Sequence, residues 1–118
     1  MNRPTIVFDF DGVIHSYNSG WKGVDVIPDP PVEGIADVMQ KLLDNGYDVM
    51  ILSTRCEIKE ARLAMEKWLK QYNIPYTQII AHKVPALVYV DDRGLKFDGN
   101  HVERLFDSIV NFKTWMEV

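Results

Sequence analysis

The sequence predicts an α/β layer fold built on a mainly parallel sheet. Two observations carry this. Short apolar runs rich in β-branched residues alternate with stretches of helical period along the whole chain, the pattern of successive βαβ units. Each strand-like run also ends in polar or acidic residues, as strands do where a parallel sheet meets its connecting loops. The length of 118 residues sets the scale: residues 1–118 fit a single domain. A chain of this size buries roughly 60–70% of the surface its unfolded form exposes, enough for one core without staples.

Thr5-Ile6-Val7-Phe8 reads as a buried first strand that stops at acids. Residues 12–30 have scattered glycines, prolines and aromatics and no helical period, which predicts a long loop or flap. Pro30-Pro31 then open a helix whose face carries Ile35, Val38, Met39, Leu42 and Leu43, stopped by Asn45-Gly46. Tyr47 to Leu52 is the second strand, and a second helix spans about Glu57 to Tyr72, ended by Asn73-Ile74-Pro75. Thr77–Ala81 is a weak third strand and Ala86–Val90 a strong fourth. A short strand at Leu95–Phe97 and a last helix from about His101 follow, the helix striped by Val102, Leu105, Phe106, Ile109, Phe112 and Met116.

Composition excludes several classes. Hydrophobic residues make up 47% and charged residues 25%, which is ordinary for a globular domain and unlike a disordered chain. Apolar runs of four to six residues fall far short of the ~18 that a membrane span needs. The start, MNRPTIVFDFDG, lacks the pattern of a signal peptide, so a cytoplasmic location is expected. Cys56 is the only cysteine, which rules out an intrachain disulfide or a multi-cysteine metal site. A net charge of −4 argues against nucleic-acid binding by overall field, while leaving room for a local basic patch.

The chemistry is expected at the carboxyl ends of the strands. The first strand ends in Asp9-Phe10-Asp11-Gly12, and alternation points Asp9 and Asp11 the same way. The fourth ends in Asp91-Asp92-Arg93. If these strands are neighbours, four carboxylates crowd one edge, and such a crowd needs shared protons or a cation. Oxygen-only ligands suit a hard ion, Mg²⁺ first. The second strand ends in Ser53-Thr54-Arg55, where Thr54 is the expected helix cap and Ser53 the expected ligand for an anion. His15, His82 and His101 show no metal spacing and read as surface residues, while Trp68 and Trp115 read as helix packing.

In this order the residues resemble the haloacid dehalogenase superfamily of phosphohydrolases. The first family motif matches Ile6-Val7-Phe8-Asp9-Phe10-Asp11-Gly12-Val13, the second Val49-Met50-Ile51-Leu52-Ser53, and the acidic fourth Val88-Tyr89-Val90-Asp91-Asp92. The separate basic residue is matched by Lys83, and Asp92 to Gly99 is similar to small cap-less members from bacteria and phages. The resemblance implies a Rossmann-like three-layer sandwich with no cap domain. It implies a Mg²⁺-dependent phosphomonoesterase working through an aspartyl-phosphate. Asp9 would be the nucleophile and Asp11 the general acid and base, its pKa raised by the neighbouring acids. Ser53 would hold a phosphoryl oxygen, and Lys83 would balance charge. The metal would bind Asp9, the Asp11 carbonyl, and Asp91 with or without Asp92.

Fewer than twenty residues separate Gly12 from the first helix, room for a flap but not a folded cap. Tyr17 and Trp21 in that flap, with Arg55, Arg93 and Lys96 around it, are the candidate contacts to an anionic substrate. A phosphorylated small molecule or nucleotide is the expected substrate, and a nucleic-acid terminal phosphate is the alternative. An open site also suits a second copy of the chain acting as lid, a homo-oligomer. The competing function is a non-catalytic phosphate-binding or receiver-like regulatory domain, although a receiver carries its acid pair after the first strand.

Overall fold

The computed structural model describes residues 3–117. Four parallel strands, β1 (Thr5–Asp9), β2 (Asp48–Leu52), β3 (Gln78–Ile80) and β4 (Val88–Val90), form one sheet in the order β3-β2-β1-β4. β1 is therefore central. It pairs with β2 from Thr5 opposite Asp48 to Asp9 opposite Leu52, and with β4 from Ile6 opposite Val88 to Phe8 opposite Val90. This register carries the acids that follow β1 and β4 to the same edge of the sheet. The α/β class with a parallel sheet is thus as expected.

Helices α1 (Ile35–Asp44) and α2 (Lys59–Gln71) connect β1 to β2 and β2 to β3. Both connections step the same way across the sheet, and right-handed crossover places both helices on one face. Ile6, Phe8, Val49, Ile51 and Ile79 alternate onto that face and share a core with Met39 of α1 and Met65, Trp68 and Leu69 of α2. The strands' β-branched residues pack well on a pleated surface, which is why these runs settle as strands. Among the described residues no helix is long and apolar enough to cross a membrane.

Several boundaries differ from expectation. α1 starts at Ile35 and not at Pro30-Pro31. Val32 N–H donates to the Ile14 carbonyl and Pro31 bridges His15, so this stretch stays extended at the base of the flap. Gly34, at φ +84°, then turns the chain into the helix. α2 begins two residues late because Thr54–Glu57 forms a separate 3₁₀ turn and Ile58 is extended. Leu95–Phe97 is not a strand.

The last helix is the largest departure. It shrinks to a 3₁₀ turn at Val102–Arg104, α3 at Leu105–Val110, and a second 3₁₀ turn at Trp115–Glu117. Val102, Phe106 and Ile109, expected on a buried stripe, are exposed by 52, 73 and 57%. Downstream, Thr114 is buried, and Trp115 donates its indole N–H to the Gly12 carbonyl at 2.8 Å. That anchor draws the chain to the edge of the sheet, and the helix ends short.

Trp68 is the keystone of the core. Its ring meets Phe10 edge-on at 5.2 Å, and its N–H donates to the Asp29 carbonyl at 3.0 Å. Replacing it by alanine is expected to cost about 3–5 kcal/mol of stability in urea unfolding. Leu63, 54% exposed on the outer side of α2, should lose under ~0.5 kcal/mol when truncated. Equal losses at the two positions would contradict the packing described.

Candidate functional site

Asp9 closes β1, and Phe10 after it is fully buried, which fixes the turn that presents Asp11. The Phe10 carbonyl accepts the N–H groups of Val13, Ile14 and His15, winding residues 10–15 into one tight turn. Gly12 within it has φ +87°, and a Cβ there would stand 2.5 Å from Asp92 Oδ2. Only glycine lets Asp92 approach so closely. One carboxylate oxygen each from Asp9, Asp91 and Asp92 lie within 4.8 Å of one another.

No cation of the described residues is among the charges acting on Asp9, and Arg93 offsets Asp92 only in part. Burial and the Asp91 carboxylate, with smaller contributions from Asp92 and Asp11, push the Asp9 pKa up to about 7. Burial likewise raises Asp92, and one of its oxygens, Oδ1, is buried without a hydrogen-bond partner. Arg93 N–H donates to Asp91 at 2.9 Å. Among the described residues this group holds carboxylates alone, and an acid trio with an orphaned oxygen has the donor chemistry of a hard divalent-cation site.

Asp11 behaves in the opposite way and corrects the expectation of a raised pKa. Burial acts to raise it, but a hydrogen bond from His15 and the Arg55 guanidinium outweigh burial and hold it below the usual carboxylate range. His15 Nδ1 lies 2.8 Å from Asp11 Oδ1, while Arg55 Nε and Nη2 reach the two Asp11 oxygens at 2.9 and 3.2 Å. His15 Nε2 accepts the Asp29 N–H at 3.2 Å, so the ring proton sits on Nδ1 and is donated to Asp11.

Arg55 is also not a surface contact for substrate. It is 2% exposed, and its Nη1 donates to the Gly23, Val24 and Val26 carbonyls of the flap at 2.9, 2.6 and 3.3 Å. Its carbon Cζ lies 4.5 Å from the Trp21 ring centroid. Ser53, not Thr54, caps the 3₁₀ turn by accepting the Arg55 N–H at 3.1 Å, which leaves the hydroxyl hydrogen free to donate.

A cavity of about 500 Å³ joins Asp9, Asp11 and Asp92 to Tyr17, Trp21 and Arg93, with Thr114, Met116 and Glu117 from the chain's last turn. Lys83 is not brought there. Its ammonium sits 4.8 Å from the Tyr89 ring centroid, and it is not among the charges acting on Asp9. Lys96 lines a separate cavity near Asp98 and His101. His15 was the residue sequence reasoning missed. It is fully buried rather than superficial, and its one signal is a spacing of four from Asp11, which meets across a turn of helical pitch.

Two outcomes follow from this electrostatic split. Asp9 and Asp92 are both raised, so in chelator the folded state holds protons that the unfolded chain has released. The resulting stabilisation is complete below about pH 4 and is lost as pH rises toward 7. Thermal melts in chelator should fall across that window, against the opposing trend from Asp11, and added Mg²⁺ should restore stability at pH 7.5. A flat profile unaffected by metal would contradict the described cluster. Gly12→Ala should abolish the Mg²⁺ response while retaining far-UV helical content.

No family model and no curated protein matches this sequence. Among solved structures, a chain from the "Structure of Pnkp1/Rnl/Hen1 complex" superposes with a TM-score of 0.54 at 21% identity, covering 98% of this chain and 37% of that one. A chain from the "Structure of the Pnkp1/Rnl/Hen1 RNA repair complex" gives 0.53 at 17% identity, covering 94% and 33%. This chain thus spans about a third of the length of those it resembles, and the likeness is one of fold.

Proposed function

We propose that the chain is a Mg²⁺-dependent phosphomonoesterase of the haloacid dehalogenase type, acting through an aspartyl-phosphate on Asp9. The observation that carries it is the meeting of Asp9 with Asp91 and Asp92 at the joined ends of β1 and β4, beside an Asp11 that opens into the same cavity. Asp11 is held by Arg55 and His15. The free protein favours the proton on Asp9 and the anion of Asp11, the reverse of what the first step needs, so a bound cation and the substrate's own charge must invert the pair.

Asp9, Asp91 and Asp92 would hold the ion, with the Asp11 carbonyl as a further oxygen. Mg²⁺ held there would supply positive charge that favours the Asp9 anion and offsets the charge of the phosphoryl group. In the first step an Asp9 oxygen bonds to phosphorus as the ester P–O bond breaks. The leaving oxygen takes a proton from Asp11. The resting Asp11 is an anion, so it takes this proton from solvent as the phosphate arrives beside it, because a nearby negative charge raises carboxyl proton affinity. Water then attacks phosphorus, Asp11 accepts its proton, and phosphate leaves Asp9. The Ser53 hydroxyl donates to a phosphoryl oxygen. The basic role assigned to Lys83 passes to Arg93, which lines the cavity.

A nucleic-acid end is the second reading of the substrate. It is supported by the similarity of fold to chains of RNA repair complexes and by a site covered only by a flap and the last turn. A phosphorylated metabolite or free nucleotide remains the first.

Turnover of p-nitrophenyl phosphate should require Mg²⁺ and fall at least 10³-fold in Asp9→Asn, with the fold intact. Activity of that variant within tenfold of the parent would end the nucleophile assignment. Binding of phosphate without turnover would identify a regulatory domain instead. Calorimetry should show weaker Mg²⁺ binding in Asp91→Ala and Asp92→Ala, and Ca²⁺ should inhibit because its looser coordination disfavours in-line geometry.

A further inference from the structure

Trp21 is 56% exposed at the mouth of the catalytic cavity, although it is the largest apolar side chain of the flap. Trp68, the tryptophan of the core, is 5% exposed by comparison. Trp21 is nonetheless held in place. One face of the indole lies against the Arg55 guanidinium, which is itself buried and tied to Asp11 and to three flap carbonyls. The flap around it is closed as a compact loop. Asp29 accepts both the N–H and the hydroxyl of Ser19, at 2.8 and 2.6 Å, and Ser16 N–H donates to the Pro30 carbonyl. The chain turns at Gly20, where φ is +72° and the N–H donates to the Tyr17 carbonyl.

The indole therefore offers one free face, fixed in advance, over a cavity whose floor carries Asp9 and Asp11. Binding to a rigid platform loses little ordering entropy. A flat aromatic group is the natural occupant of such a face, and the cavity of about 500 Å³ has room for a phosphate with a sugar and a base. We propose that Trp21 is the stacking platform for the nucleobase of the substrate, with Met116 of the last turn lining the same slot. This rests on the phosphohydrolase reading and names its substrate class: a nucleotide phosphate, either free or at the end of a strand. Because the same guanidinium supports Trp21 and Asp11, the base is recognised on the element that orients the group acting on the leaving oxygen.

The test compares kcat/KM for adenosine 5′-monophosphate, a phosphate-terminated oligonucleotide and ribose 5-phosphate, in the parent protein, Trp21→Ala and Trp21→Phe. The parent should prefer substrates that bear a base. Trp21→Ala should lose about tenfold on those substrates, chiefly in KM, as loss of one stacked base does. It should change ribose 5-phosphate by less than twofold, and Trp21→Phe should recover most of the loss. Whichever base-bearing substrate is favoured distinguishes a free nucleotide from a strand end. No preference for a base in the parent, or equal losses on all substrates, overturns the proposal. If no substrate is turned over, the phosphohydrolase reading fails on its own. Stacking is then read by fluorescence: quenching of emission by adenosine 5′-monophosphate but not by ribose 5-phosphate, absent in Trp21→Phe, supports the platform. Its absence in the parent overturns it.

Discussion

The site depends on one buried cation. Arg55 is buried between the flap and the sheet edge with almost no solvent contact, and a charge in that position must be matched by full hydrogen bonding and an opposite charge. The flap supplies carbonyls and Asp11 supplies the charge. Three things are set by this single requirement. The flap is fastened to the sheet edge, Trp21 is backed by the guanidinium, and Asp11 is held below the usual carboxylate range although burial acts to raise it. His15 completes the arrangement from the other side, and its buried ring is in turn fixed by the Asp29 N–H and by Phe10 and Trp68.

Asp9, two residues away, has none of this support. It faces Asp91 and Asp92, and the sheet topology makes that meeting unavoidable because β1 and β4 are parallel neighbours whose ends coincide. The same short segment thus holds one carboxyl that favours its anion and one that favours its proton. In the proposed mechanism a cation beside Asp9 would favour its anion, and a phosphate arriving beside Asp11 would favour its proton, so that both preferences are reversed.

The central strand and the acidic edge were legible in the sequence because their signals are dense. Ile6-Val7-Phe8 and Val88-Tyr89-Val90 are unmistakable as strands, and the rule that parallel sheets place sites at carboxyl ends points directly to Asp9, Asp11, Asp91 and Asp92. The supporting shell was not legible. A histidine in a loop looks alike whether it is solvated or buried, and nothing local distinguishes an Arg55 that turns inward from one on the rim. The helical stripe from Val102 to Met116 promised a continuous helix, but a single long-range bond from Trp115 to Gly12 outweighs local periodicity. Lys83 failed for a geometric reason. The segment between β3 and β4 must cross from one edge of the sheet to the other without a helix, and its course leaves the ammonium over Tyr89.

The proposed mechanism requires that Asp9 become phosphorylated during turnover. The direct measurement is acid quenching of the protein with a phosphoryl-labelled substrate, followed by peptide mapping by mass spectrometry. Label is expected on Asp9 in the presence of Mg²⁺ and none in chelator; with an aryl phosphate, whose leaving group needs no proton from Asp11, the labelled fraction should grow in Asp11→Asn because the second step then lacks its base. Turnover with no labelled Asp9 at any quench time, or label on another residue, would contradict it.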